Sequence, residues 1–106
     1  MQTQINQKNS RDLYLMQKIM SASSEQLISY VYDVAITACN KKDKIKAQVA
    51  VRELIKALNF DYKEISVVFY QVYQYINHLI SIEKFEQSKQ ALVDLKKTWC
   101  TAMKVI

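Results

Sequence analysis

The chain has 106 residues and contains neither glycine nor proline, with a single histidine and two cysteines. Average proteins use about 7% glycine and about 5% proline, so both absences are informative. Without glycine there is no Walker loop, no dinucleotide-binding fingerprint and no nucleophile elbow. Tight hairpin turns that need positive φ lose their best residue. His78 stands beside Leu79 with no serine or cysteine and acid arranged around it for a triad. A surface or half-buried histidine is expected. Cys39 and Cys100 show neither metal-ligand spacing nor a CxxC pair; they are expected as small, reduced core residues. No stretch approaches the ~20 apolar residues of a membrane span, and residues 1–8 have no apolar run that would serve as a signal peptide. The expectation is a cytoplasmic protein that is not an enzyme, with no cofactor, no metal site and no membrane insertion.

Half of the residues are apolar and 24% are charged, with a net charge of +5. This composition suits one soluble, all-helical domain. The densest basic cluster is Lys41, Lys42, Lys44 and Lys46, interrupted by Asp43 and Ile45. A nucleic-acid patch would interleave aromatics for stacking or offer arginine forks. Neither occurs, so the cluster reads as a solvated turn between two helices, and no nucleic-acid partner is expected.

Residues 1–12 are polar and rich in Gln and Asn, and residues 13–20 are apolar but too short for an independent helix. The organisation expected is a mobile N-terminal arm over 1–22, the apolar part of which docks, followed by a four-helix bundle over 23–106. The first helix begins at a capping box in which Ser23 is the cap and Gln26 reaches back, with Ala22 and Leu27 as a small staple. It runs to about Asn40. From Leu27 to Cys39 it is apolar on nearly every side, with Ser29, Asp33 and Thr37 as one narrow polar stripe. A surface helix shows the opposite balance, so this one needs neighbours all round. Asp33 is expected as a solvent-facing or hydrogen-bonded carboxylate. The second helix spans about 43–58, with Ala47, Val51, Leu54, Ile55 and Leu58 at helical spacing. For the third, Asp61 and Glu64 form a second capping box and Phe60 with Ile65 a staple. Its expected core stripe is Ile65, Val68/Phe69, Val72, Ile76 and Leu79/Ile80. A strand over Ile65–Tyr75 is the competing reading, which the period of 3.6 disfavours. The fourth helix covers about 84–104, where Phe85, Ser88, Leu92, Leu95, Trp99, Ala102 and Ile106 form a bundle seam and Glu83 and Glu86 lie as neighbours. Short connections then give an all-α, antiparallel up-down-up-down bundle. The first and last connections share one end.

Chemistry is poorly represented, but adhesive side chains are abundant. The chain has seven tyrosines, four methionines and one tryptophan, types that populate protein-binding surfaces. The order of landmarks is also informative. An arm tyrosine, Tyr14, is followed by Ile19, then Ser21-Ala22-Ser23-Ser24-Glu25-Gln26-Leu27-Ile28, then Val31-Tyr32-Asp33. Val72-Tyr73-Gln74-Tyr75-Ile76 comes later, and Trp99 precedes Ala102 by one turn. This order resembles the flagellin-specific export chaperones, the FliS family. That family carries an arm tyrosine, a cap reading Thr/Ser-Ala-Ser/Thr-Pro-x-x-Leu, then Leu-Tyr-Asp-Gly, Leu-Tyr-Asp-Tyr and Ala-Trp-x-x-Ala. Ser24 replaces the family's proline, Val34 its glycine and Gln74 its aspartate. The chain is shorter between Tyr32 and Leu54 and between Tyr73 and Trp99. It therefore resembles a shortened, divergent member, trimmed at one end of the bundle.

The resemblance implies a cytosolic chaperone that binds the disordered C-terminal segment of flagellin, prevents premature polymerisation and aids type III export. Export-gate components or a co-chaperone are further implied partners, and a monomer or weak dimer is the implied state. The partner-binding residues it implies are Tyr14, Ile19, Leu27, Val31, Tyr32, Tyr73 and Trp99, with the arm lying over part of the surface when the client is absent. The alternatives are a small basic helical module that binds nucleic acid and a self-associating helical interaction protein.

Overall fold

The computed structural model describes residues 24–103. They form four helices: α1 (Ser24–Asn40), α2 (Lys44–Lys56), α3 (Lys63–Ser81) and α4 (Phe85–Met103). α1 lies against α2 and α4, and α3 lies against the same two, while the diagonal pairs barely meet. This is the expected antiparallel four-helix bundle, and the stretch 65–75 is helix, not strand. No helix among the described residues is long and apolar enough to cross a membrane. The arm and the Ser23 cap with its Ala22 staple fall outside the described residues, as do Ala102's side chain and Ile106.

The α1–α2 seam is built from small side chains. Ala35, Ala38 and Cys39 of α1 are buried, as are Ala47 and Ala50 of α2. Small residues let two helix axes approach to the near end of the usual 8–10 Å range. The large side chains Tyr73, Ile76, Ile80, Leu92 and Trp99 come from α3 and α4 and fill the opposite half of the core. Ser88 is fully buried among them because its hydroxyl donates to the Lys84 carbonyl at 2.8 Å. Most of the expected α4 seam is where the spacing put it: Ser88, Leu92 and Trp99 are buried, and Phe85 and Leu95 are half-buried.

The two short connections are the same device used twice. After α1, the Asp43 N–H donates to the Ala38 carbonyl at 2.8 Å and the Lys42 N–H to Cys39 at 3.0 Å. After α3, the Lys84 N–H donates to Leu79 and the Glu83 N–H to Ile80, both at 2.9 Å. Both pairs have the 6→1 and 5→2 pattern of a Schellman motif. The residue that must turn left-handed is Lys42 at φ 56° and Glu83 at φ 61°. Glycine ordinarily fills that position, and this chain has none. Glu83 thus sits in the turn, not on α4 as expected. Asp43 ends one turn and begins the next helix, its Oδ1 accepting from the Lys46 N–H at 3.1 Å. Lys44 and Glu83 approach to 3.9 Å, so both connections lie at one end of the bundle, as expected.

The start of α3 departs from expectation. Tyr62, not Asp61, is the capping residue, and no side chain caps the helix. Asn59 organises the turn instead: its Oδ1 accepts from the Asp61 N–H at 2.9 Å and its carbonyl accepts from the Ser66 hydroxyl at 2.5 Å. With its backbone N–H committed to Asn59, Asp61 belongs to the turn and not to the helix. Phe60 and Ile65 both stay exposed, and the Phe60 ring meets Tyr70 edge-on at 6.5 Å.

A left-handed conformation costs a side-chain-bearing residue about 1 kcal/mol relative to glycine. Lys42→Gly and Glu83→Gly are each expected to raise the unfolding free energy in urea by about 1 kcal/mol. Loss of stability in either would contradict the turn geometry.

Candidate partner-binding surface

Three of the implied site residues come together inside the bundle. Tyr32 of α1 is fully buried, Tyr73 of α3 is 2% exposed and Trp99 of α4 is 9% exposed. Each sits on the inward stripe of its own helix. The two tyrosine hydroxyls share a hydrogen bond of 2.5 Å across the bundle diagonal. The Tyr32 ring lies 6.3 Å from that of Tyr73 and 6.2 Å from Trp99, both tilted, and Phe69 meets Tyr73 edge-on at 6.0 Å. These are favourable aromatic separations. Removing either hydroxyl would strand the other in an apolar interior, at about 1–3 kcal/mol. Burial drives the Tyr32 phenol well above its ordinary range, and the neighbouring Tyr73 hydroxyl adds to this. Burial also pushes Tyr73 up to about 12, although its bond to Tyr32 acts the other way. Both are therefore neutral, uncharged props. They set the shape of the bundle from within and offer no accessible surface to a partner.

Leu27 and Val31 are half-buried on α1, along with Ile28, Tyr30 and Ile36, while Val34 is 42% exposed. The first helix is thus not fully wrapped by its three companions. Its polar stripe reaches solvent at Asp33 and Thr37, and Lys96 Nζ donates to Asp33 Oδ1 at 2.6 Å. Tyr14 and Ile19 lie outside the described residues.

Among the described residues, α3 carries the most exposed large apolar side chains. Ile65 is 63% exposed, Val68 54% and Tyr75 58%, with Val72 half-buried between them. These four follow steps of three and four and so make one stripe. The sequence had assigned Ile65 and Val68 to the core, which the structure corrects. The buried stripe is Ser66, Tyr73, Ile76, Leu79 and Ile80 with Phe69 half-buried beside them; it agrees with the expected line at its C-terminal end and is one residue round from it at its N-terminal end. Two facts set this rotation. Ser66 is small, and its hydroxyl is tied to Asn59, which draws it inward; and Tyr73 must face Tyr32 to share its hydrogen bond. Ile65 and Val68 then have no place inside. The sequence did carry a signal for this surface: α3 has apolar residues for two stripes, and a bundle helix of this size buries one.

The remaining features do not assemble chemistry. A depression of about 420 Å³ at the end with the short turns is lined by Cys39, Asn40, Lys42, Glu83 and Phe85 among others. Burial raises the Cys39 thiol, so it is a poor nucleophile there. Another depression, of about 310 Å³, runs between α1 and α2, with Asp33 and Asp43 facing Lys41 and Lys46. Carboxylates alternate with the lysines of this end, so the basic cluster is not a continuous positive face. Both cysteines are free, and among the described residues no three His, Cys, Asp or Glu side chains converge as a metal site would need. His78 is exposed. Compared with known proteins, the chain matches no family model, no curated protein and no solved structure.

The buried phenols make a pH prediction. A tyrosine whose folded pKa is raised holds its proton where the unfolded chain, near 10, releases it. The stability from Tyr32 and Tyr73 is thus complete below pH 10 and is lost as pH rises through about 12. Ultraviolet titration is expected to show Tyr32 and Tyr73 still protonated at about pH 11 in the folded protein, their signal assigned by Tyr32→Phe and Tyr73→Phe. Ionisation of all seven in one step near pH 10 in the folded state would contradict the buried pair.

Proposed function

We propose that this chain is a carrier of amphipathic helical segments, and specifically a cytosolic flagellar export chaperone whose client is the disordered C-terminal segment of flagellin. One observation carries the reading. α3 completes its core stripe and still presents Ile65, Val68 and Tyr75 to solvent, over half exposed each. An apolar helix face of this kind matches the helix-in-groove mode of recognition. The order of landmarks from Tyr14 to Trp99 adds the resemblance to the flagellin chaperones. The interior supports it too: a bundle pinned by Tyr32, Tyr73 and Trp99 offers a rigid wall, so the ordering cost falls on the client alone. Each aliphatic or aromatic anchor that becomes buried contributes roughly 1.5–3 kcal/mol. A few anchors then suffice for micromolar affinity, about 8 kcal/mol net. Holding such a segment would keep a filament subunit from assembling before export.

Calorimetric titration with a flagellin C-terminal peptide tests this. The expected result is one peptide per chain at micromolar affinity, little weakened between low and moderate salt. No heat and no mobility shift at high micromolar peptide would overturn it. So would tight binding of RNA that falls steeply with salt and depends on Lys41, Lys42, Lys44 and Lys46.

A further inference from the structure

The exposed stripe of α3 has a definite place between helices. Ser66 bonds the Asn59 carbonyl and Tyr70 meets Phe60, so that flank of α3 faces the α2–α3 connection. Ile65, Val68 and Val72 lie on the other flank, toward α4. On α4, Lys96 reaches Asp33 of α1, so its flank faces α1. Ala91, Leu95 and Thr98 lie on the opposite flank, toward α3. Equal rise from the Ile82–Lys84 turn sets Tyr75 level with Ala91, and Val68 level with Thr98. The seam therefore has Ile65, Val68, Val72 and Tyr75 on one side, and Ala91, Leu95 and Thr98 on the other.

Polar groups meet at three places around the bundle. Lys96 closes α1–α4 on Asp33, Lys44 of α2 approaches Glu83 in the turn between α3 and α4, and Lys41, Asp43 and Lys46 line the depression between α1 and α2. Among the described residues, no side-chain hydrogen bond or ion pair joins α3 to α4, nor α2 to α3, and of the four adjacent pairs α3 and α4 run close together over the shortest stretch. The charges along its length are two carboxylates, with Lys84 in the turn at its end. Glu64 precedes Val68 by one turn on the outer edge of α3, and Asp94 lies one turn from Ala91 and Thr98 on the outer edge of α4. His78 and Lys97 lie a further step round, away from the seam. Two carboxylates thus flank an apolar face on a chain of net charge +5.

We propose that the α3–α4 seam is the docking groove for a partner's amphipathic helix whose apolar face is flanked by lysine or arginine. This rests on the carrier reading and specifies which face takes the segment and what charge pattern it selects. The apolar face lies on Ile65, Val68, Val72 and Tyr75, and the small residues of α4 let the partner's backbone come close. The flanking cations meet Glu64 and Asp94. A second copy of this chain is disfavoured there, since symmetric pairing would bring like carboxylates together and join two chains of the same net charge.

The test uses the full chain and two labelled model helices with the same leucine face, one flanked by lysines and one by glutamates, titrated by fluorescence anisotropy. The lysine-flanked helix is expected to bind at least about tenfold tighter. Ile65→Asn and Val68→Asn, both at exposed positions that leave the core intact, are expected to weaken it by about tenfold or more. Ile45→Asn, on the outer face of α2 and 74% exposed, should leave it unchanged. Glu64→Lys with Asp94→Lys should reverse the preference. Equal binding of the two helices, binding of neither, or sensitivity to Ile45→Asn and not to Val68→Asn would overturn the assignment. A wild-type dimer in sedimentation that Val68→Asn dissolves would give the face to a second copy and also overturn it. If the flagellin peptide binds Val68→Asn as well as wild type, the carrier reading stands and this groove does not.

Discussion

The bond between the hydroxyls of Tyr32 and Tyr73 determines how α3 is turned about its own axis. A buried hydroxyl without a partner is costly, and each tyrosine has the other within 2.5 Å. Helix α3 could present either of two apolar lines to the core. Only one of them brings Tyr73 to Tyr32, and that line also takes Ser66 inward to meet Asn59. The consequence is felt outside. With Tyr73 pinned inward, Ile65, Val68 and Tyr75 must face water or a partner. An interior polar contact thus specifies an exterior apolar one, and the proposed function depends on that exchange.

A second constraint acts at the end where the short turns meet. Two helix pairs are joined by three residues each, with Lys42 and Glu83 held left-handed in the absence of glycine. Such tight closure holds α1 to α2 through alanines and holds α3 to α4 at their turn. It does not hold α3 to α4 further along. Their facing flanks carry no polar link, and Ile65, Val68 and Tyr75 of α3 stay largely exposed. The bundle is thus tight where its turns and alanines lie and leaves an apolar face uncovered on α3.

Much of this was legible in the residues, and the failures are instructive. The end of α1 at Asn40, the Asp43 break and the α4 seam from Phe85 to Trp99 followed from spacing, because polar and apolar positions there separate cleanly. The inward tyrosines and Trp99 were picked out as landmarks, but their burial was not, since tyrosine serves core and surface alike. The α3 stripe was misplaced by one residue at its start. Apolar side chains occur on both of its sides, so periodicity could not choose between them, and the deciding bond lies across the bundle, 41 positions away in sequence. Asp61 looked like a cap because its spacing to Glu64 is right. The competing Asn59 turn was a local alternative of similar strength. The excess apolar surface was expected chiefly on α1; α1 does leave Val34 out and several residues half-covered, but the larger share is on α3.

The rotation of α3 is open to direct measurement by the reactivity of single cysteines. In a background with Cys39 and Cys100 replaced by alanine, Val68→Cys and Ile76→Cys would each be labelled with a maleimide under native conditions. The account predicts that Val68→Cys reacts nearly as fast as in urea, and that Ile76→Cys, at a fully buried position, is protected by orders of magnitude. Protection of Val68→Cys alone would mean that the other stripe faces the core, and protection of both alike would mean that Val68 is covered; in either case the exposed apolar wall would not exist.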